Sequence, residues 1–489
     1  MEIRIKAIAY IVIIILPIYL NAQVTIGMGS APARTALLQL KDKEANLNGD
    51  IETSQTGGLL LPRTRLIDKQ TLEPYVQTND PDYDIYKKES IGLIVYNIAT
   101  TADLSPGIYH WDGDEWLTIG SESDKPNPII RPDPEVEDID DPEALKLPNS
   151  YILPRSTTLE FQVIKGYAAW KHDIKQAIDG GIIPTVELVW QTRPELVKSV
   201  SVIEGNAPHL ARLRVEASDI SGNALVAMKI GNEIKWSWHI WITDYEPEKA
   251  ENQRQSETAI FMDRNIGALR LSRDRKDILT FGMVYQWGRK DPFPGSDHWE
   301  EEEEDRALFL IDNQSTEIVK EAIPSSTDNR ALVCKNPSTF YNNPGGDWFS
   351  STSSSYNHYL WITQTGKKGI YDPCPRGWRV PLPHSWQGLP CIPNLYASER
   401  EGLDWSKPGS GYNGGHYPYC GYRKCASGGH LMNKDNNLAG FIWSTYARDD
   451  VPKSAYPLYY YRWGISPPTS QAPVAKAQGN AVRCIKDID

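Results

Sequence analysis

Residues 224–243 read ALVAMKIGNEIKWSWHIWIT, and their pattern fixes the fold class of the middle of the chain. Two β-type runs, 224–230 and 233–243, flank Gly231-Asn232, a dipeptide that favours a two-residue hairpin turn. At the two-residue period of a strand, Trp236, Trp238, Ile240 and Ile242 share one face, and Ser237, His239, Trp241 and Thr243 share the other. Further β-like runs at 159–164, 185–190, 198–203 and 210–217 are separated by turn residues. Six or seven short strands within 148–250 predict a β-sandwich. His239 has no partner at a useful spacing for a ligand set or an acid–base pair, so it is expected to be a packed or half-exposed strand histidine.

Upstream, the first residues decide the compartment. Residues 1–22 read MEIRIKAIAYIVIIILPIYLNA: a short basic end at Arg4 and Lys6, an apolar run from Ile8 to Leu20, then a small residue at Ala22. This is the pattern of a secretory signal peptide, with cleavage expected at Ala22. The run falls short of the length needed to span a bilayer, so no integral membrane segment is expected after signal removal. All six cysteines lie in the last third: Cys334, Cys374, Cys391, Cys420, Cys425 and Cys484. In an exported chain these are disulfide candidates, and six allow about 15 pairings, among which sequence does not choose.

The chain has 489 residues, 51 Lys plus Arg and 63 Asp plus Glu, for a formal charge of −12. An acidic balance argues against nucleic acid, whose phosphates need a basic surface. Sixteen Trp and 25 Tyr stand against 8 Phe. Trp and Tyr pair an apolar body with a polar tip, a composition suited to half-wet binding surfaces as well as to strand packing.

The organisation that follows is multidomain and mainly β. Residues 23–120 form a small N-terminal β module, with runs at 59–63 and 92–97 and a hairpin signal at Asp112-Gly113. Residues 121–147 carry nine acidic residues from Glu122 to Glu143 and five prolines. Such a stretch is expected to be an extended spacer. The β-sandwich spans 148–250, and 251–489 forms a third domain rich in loops and holding every cysteine.

The N-terminal phrases "LLLPR", "GLIVYN" and "GIYHWDGDEW" resemble a module found in surface proteins of the Bacteroidetes. In the third domain, FMDRNIGA (261–268), GMVYQWGRKDPFPG (282–295), CPRGWRVP (374–381), GFIWST (440–445) and NAVRCIK (480–486) follow in order. That succession resembles the C-terminal domain of exported Bacteroidetes proteins akin to the Fibrobacter-type paralogous domain and, more distantly, to C-type-lectin-like folds. With GNALVAMK and WSWHIWITDY before it, the series resembles tip or accessory subunits of Bacteroidetes fimbriae. The resemblance implies an α+β lectin-like third domain and a disulfide joining Cys374 to Cys484. It also implies a non-enzymatic, exported protein at the cell surface, associated with the outer membrane as part of a fimbrium. Its role there would be in assembly, cell adhesion and virulence, with other fimbrial subunits and a host glycan or protein ligand as partners.

Three constellations could carry chemistry. His416, Cys420, Cys425 and His430 have the composition of a zinc site, but nearby thiols of an exported protein oxidise, so a Cys420–Cys425 bridge is expected instead. The calcium-binding phrases of sugar-binding C-type lectins do not stand here: Pro393-Asn394 lacks a preceding carboxylate, and 433–437 is only loosely similar. Sugar would then be bound by stacking, with Tyr456, Tyr459, Tyr461 and Trp463 as the candidate ligand-binding residues. Glu300 to Glu304 form a contiguous run, which reads as a solvated loop rather than a catalytic carboxylate pair. No catalytic residue, cofactor or metal is expected. Two rival readings remain: a secreted enzyme on a lectin-like, sulfatase-modifying-like fold, which would need a redox-active thiol, and an anchor subunit without adhesin activity.

Overall fold

The computed structural model describes residues 60–101, 103–118, 127–172, 180–274, 276–295, 307–344, 346–350, 356–388, 415–431, 439–461, 464–468 and 473–488, with the short strands at 24–26, 38–40 and 403–404. The expected signal peptide at 1–22, Cys391, Trp463, 393–394, 433–437 and the 300–304 carboxylate run lie outside the described residues. The chain is mainly β with several sheets, and it divides into two compact units, Met1–Pro126 and Asn127–Asp489.

In the first unit, β1 (Val24–Ile26) and β2 (Leu38–Leu40) pair in parallel. A four-stranded sheet follows in chain order: β3 (Arg63–Thr64), β4 (Ile94–Asn97), β5 (Gly107–Trp111) and β6 (Trp116–Thr118). The β5–β6 connection is built on Asp112, whose Oδ1 accepts from the backbone N–H groups of Asp114 at 2.9 Å and Glu115 at 2.8 Å. Strand alternation turns Val95, Tyr109, Trp111 and Trp116 inward, against Leu66, Leu72 and Leu104. The buried indoles are satisfied: Trp111 Nε1 donates to Lys87 O at 2.9 Å and Trp116 Nε1 to Thr71 O at 2.8 Å.

The segment expected to be a spacer is, from residue 127 onward, part of the second unit. β7 (Ile129–Ile130) runs parallel to β9 (Thr158–Gln162), which follows β8 (Ser150–Leu153). A helix over Pro142–Lys146 starts as sequence rules favour, with Pro142 in its first turn and the Asp141 carboxylate accepting from Glu143 N–H at 2.9 Å. Val136, Ala144 and Leu147 are buried with Ile164 and Ala168. The acidic composition concealed this because the carboxylates sit outside and pair: Asp140 with Lys171, Glu135 with Arg212.

β10 (Thr185–Gln191), β11 (Val197–Ile203), β12 (Arg212–Ala217), β13 (Gly222–Ile230) and β14 (Glu233–Ile242) complete the middle region. Gly231 takes φ +61° and closes the two-residue turn between β13 and β14, with Ile230 opposite Glu233. One sheet runs β7-β9-β12-β11 and the other β8-β14-β13-β10. Their inner faces share a core in which Phe161 stacks on Tyr151 at 4.3 Å and meets Trp238 edge-on at 5.1 Å.

The second sheet does not stop at residue 250. Leu308–Phe309 pairs with β10, and Ser315–Thr316 pairs with Leu308–Phe309. The face of β14 opposite the sandwich is also buried. Ser237 Oγ donates to Asp291 Oδ1 at 2.6 Å, and Lys290 Nζ donates to Ser237 O at 3.1 Å. The expected boundary between a 148–250 sandwich and a separate 251–489 domain is therefore replaced by one shared core. On this face Ser237 finds its partners in the later half of the chain, whereas His239 lies against Asn223 and Ser150 as well as Tyr285.

That later half gathers the sequence phrases onto two sheets. Ile260–Met262, Ile485–Lys486 and Trp378–Arg379 lie side by side, bringing FMDRNIGA, NAVRCIK and CPRGWRVP together. A disulfide joins Cys374 to Cys484 there, the pairing implied by the lectin-like resemblance. The other sheet places Gly479–Ala481 between Val284–Gln286 and Ala439–Ile442, the latter followed by Leu458–Tyr461 and Gly464–Ser466. Among the described residues no helix is long and apolar enough to cross a membrane.

Candidate binding surface

Strand alternation in the last of these sheets sorts its aromatics. Leu458 and Tyr460 are buried, while Tyr459 and Tyr461 are half-buried on the opposite face. Phe441, half-buried on the neighbouring strand, lies directly opposite Tyr459. The rings form a continuous strip: Tyr459 stacks on Tyr461 at 5.1 Å and on Phe441 at 4.7 Å, and Tyr422 meets Phe441 edge-on at 5.1 Å. Burial raises the phenol pKa values of Tyr459 and Tyr422, so both remain neutral hydrogen-bonding groups.

Gly440 sets the back of this strip. A Cβ at that position would lie 2.2 Å from the Tyr460 ring, so only glycine lets that ring close onto the strand. Tyr460 in turn donates from Oη to Pro418 O at 2.6 Å, fixing the inner layer on which the outer rings rest.

Of the sequence candidates, Tyr459 and Tyr461 share the strip. Tyr456 does not: it is buried, packs against Tyr446 at 4.9 Å, and its backbone oxygen accepts from Ser444 Oγ. Tyr422 and Phe441 were missed because they belong to other strands. Their only sequence signal was the alternation around Phe441 in GFIWST.

Of the His416–Cys420–Cys425–His430 set, the side chain of His430 lies outside the described residues, and the other three are not brought into one metal site. Cys420 is buried in an aromatic cluster, its sulfur 3.8 Å from Tyr460 Oη. His416 instead lines a cleft of about 530 Å³ with Arg254, Asp263, Ser272 and Arg273. Among the described residues no three His, Cys, Asp or Glu side chains converge to hold a metal ion. The expected Cys420–Cys425 bridge is absent: both are thiols, as is Cys334. The two cysteines belong to different environments, Cys420 sealed in a core and Cys425 half-buried. Burial pushes Cys334 up to about 12 and also raises Cys420, leaving both protonated at neutral pH.

His239 is fully buried, the packed rather than the half-exposed alternative. Its Nε2 lies 2.9 Å from Asn223 Oδ1 and its Nδ1 3.2 Å from Ser150 Oγ. Desolvation lowers its pKa to about 3, so the ring stays neutral.

Residues 25–130 match the family model of a phage tail like trimerisation region. No curated protein matches the chain. No solved structure matches it either.

Proposed function

We propose that this chain is an exported, non-enzymatic cell-surface protein, an accessory or tip component of a fimbrium. Its N-terminal unit associates with copies of itself or with other subunits, and its C-terminal part engages a glycan or protein ligand. The observation that carries this reading is the aromatic strip of Tyr422, Phe441, Tyr459 and Tyr461. Half-exposed aromatic rings in a row, backed by a rigid inner layer, offer flat apolar area at low entropic cost together with hydroxyls at its margin. The match of 25–130 to a trimerisation region supports the association.

The test is binding of the signal-free chain to an array of host and microbial glycans, with Phe441→Ala and Tyr459→Ala in parallel. Binding to a defined glycan class, weakened at least about tenfold by each substitution, is the expected result. Binding that both variants retain, or its absence from every array, overturns the strip as the ligand site. Recovery of the chain at low stoichiometry from purified native filaments tests the fimbrial assignment separately.

A further inference from the structure

The small sheet of the first unit has one face with a core behind it and one without. Its inward positions carry Val95, Tyr109, Trp111 and Trp116. Its outward positions on β4, β5 and β6 are Ile94, Tyr96, Ile108, His110 and Leu117, and Ile98 continues the row just past β4. The pairing register makes this a patch rather than a scatter: Ile94 lies opposite His110, Tyr96 opposite Ile108, and His110 opposite Leu117. Ile94 is 42% exposed and Tyr96 and Ile98 are each 39% exposed. A contiguous apolar face of this kind on a soluble unit marks an interaction site.

The charge pattern selects the occupant. The chain carries −12, so copies repel unless they meet through an uncharged surface. Among the described outward positions of these four strands the only charged side chain is Arg63, and there is no carboxylate. The sheet lies inside the segment that matches a trimerisation region.

We propose that three copies of this chain pack the outward β4–β5 face around a common axis, with Ile94 and Tyr96 at the contact. This rests on the self-association reading given above and adds the surface that performs it. A closed threefold arrangement buries the face of every copy and leaves no apolar patch open.

The experiment is sedimentation of the full signal-free chain across about 1–100 µM, comparing the native sequence with an Ile94→Glu/Tyr96→Glu double variant and an Ile85→Glu control. Ile85 is also exposed, but on the Tyr83–Glu89 helix of the same unit. Expected are a trimer for the native chain and the control, and a weakening of association by at least about 100-fold in the double variant. A trimer that survives the double substitution overturns the assigned face and leaves self-association standing. A native chain that stays monomeric throughout overturns self-association and the inference with it. Should the double variant fail to fold, hydrogen exchange on the native chain decides: amides of β4 and β5 must gain protection with concentration, and unchanged exchange there overturns the face.

Discussion

Arg131 Nε donates to Glu160 Oε2 at 2.8 Å, on the side of the carboxylate opposite Arg214, whose Nε donates to Oε1 at 2.8 Å. Glu160 is thereby withdrawn from water while both guanidiniums stay partly exposed. Burial alone would raise its pKa, but the hydrogen bonds from Arg214 and Arg131 outweigh this and lower it. The pair latches the segment before residue 148 to the first sheet of the sandwich.

Glu160→Gln should therefore cost about 1–2 kcal/mol at neutral pH, at the low end for a charged pair because both arginines face water. A lowered carboxylate pKa contributes fully above the unfolded value of about 4.3 and loses its contribution as pH falls through the folded value. Urea unfolding should show the variant's deficit intact at about pH 6 and shrinking below about pH 4. A deficit independent of pH would mean that the lost interaction is packing, not charge.

His239 acts in a different window. Its folded pKa of about 3 lies below the unfolded value of about 6.5, so only the unfolded state takes up a proton between them. Stability is fully present above that unfolded value and declines as pH drops. In His239→Gln the loss between pH 7 and pH 5 should be smaller by about 2 kcal/mol, measured as the difference in unfolding free energy. Equal losses in both proteins would place the titrating group elsewhere.

Cys374 and Cys484 are bridged across a sequence separation of 110 residues. Cys374→Ser/Cys484→Ser should destabilise the second unit by about 2–5 kcal/mol. Thermal unfolding of the native chain with and without a phosphine reductant should show a matching drop in midpoint, and the double variant should not respond to the reductant.

The thiols should react in order of exposure. Under native, non-reducing conditions iodoacetamide should label Cys425, which is half-buried, while Cys334 stays unlabelled until denaturant is added. Mass spectrometry of the peptides reads this directly. Rapid native labelling of Cys334 would reveal an open, reactive thiol and favour the redox-enzyme alternative.

Much of this architecture could be read in the residues. The Gly231-Asn232 hairpin, the alternation of β14, and the 92–97 run and Asp112-Gly113 turn of the first unit appear where local pattern predicts, because turn chemistry and the two-residue period are local properties; of the described residues in the expected 59–63 run only Arg63 enters a strand. What escaped was non-local. Val136, Ala144 and Leu147 look incidental among carboxylates and prolines, and only Ile164 and Ala168, further along the chain, make them a core. Nothing in the sequence around Ser237 and His239 names what packs on their face, which Asp291 and Tyr285 reach from the later half of the chain. The aromatic strip was half visible for the same reason: Tyr459 and Tyr461 share a strand, whereas Phe441 and Tyr422 join them only through sheet pairing.

The strand Ile485–Lys486 occupies an interior place in its sheet, between Ile260–Met262 and Trp378–Arg379. The first strands of that half to leave the ribosome must therefore wait for almost the last. Synthesis and assembly are forced out of step, and most of the pairings here join distant parts of the chain, a topology that folds slowly. A sheet that cannot close until Ile485–Lys486 docks leaves its earlier strands unpaired through most of the chain's synthesis, and the Cys374–Cys484 bond seals the product only after that docking.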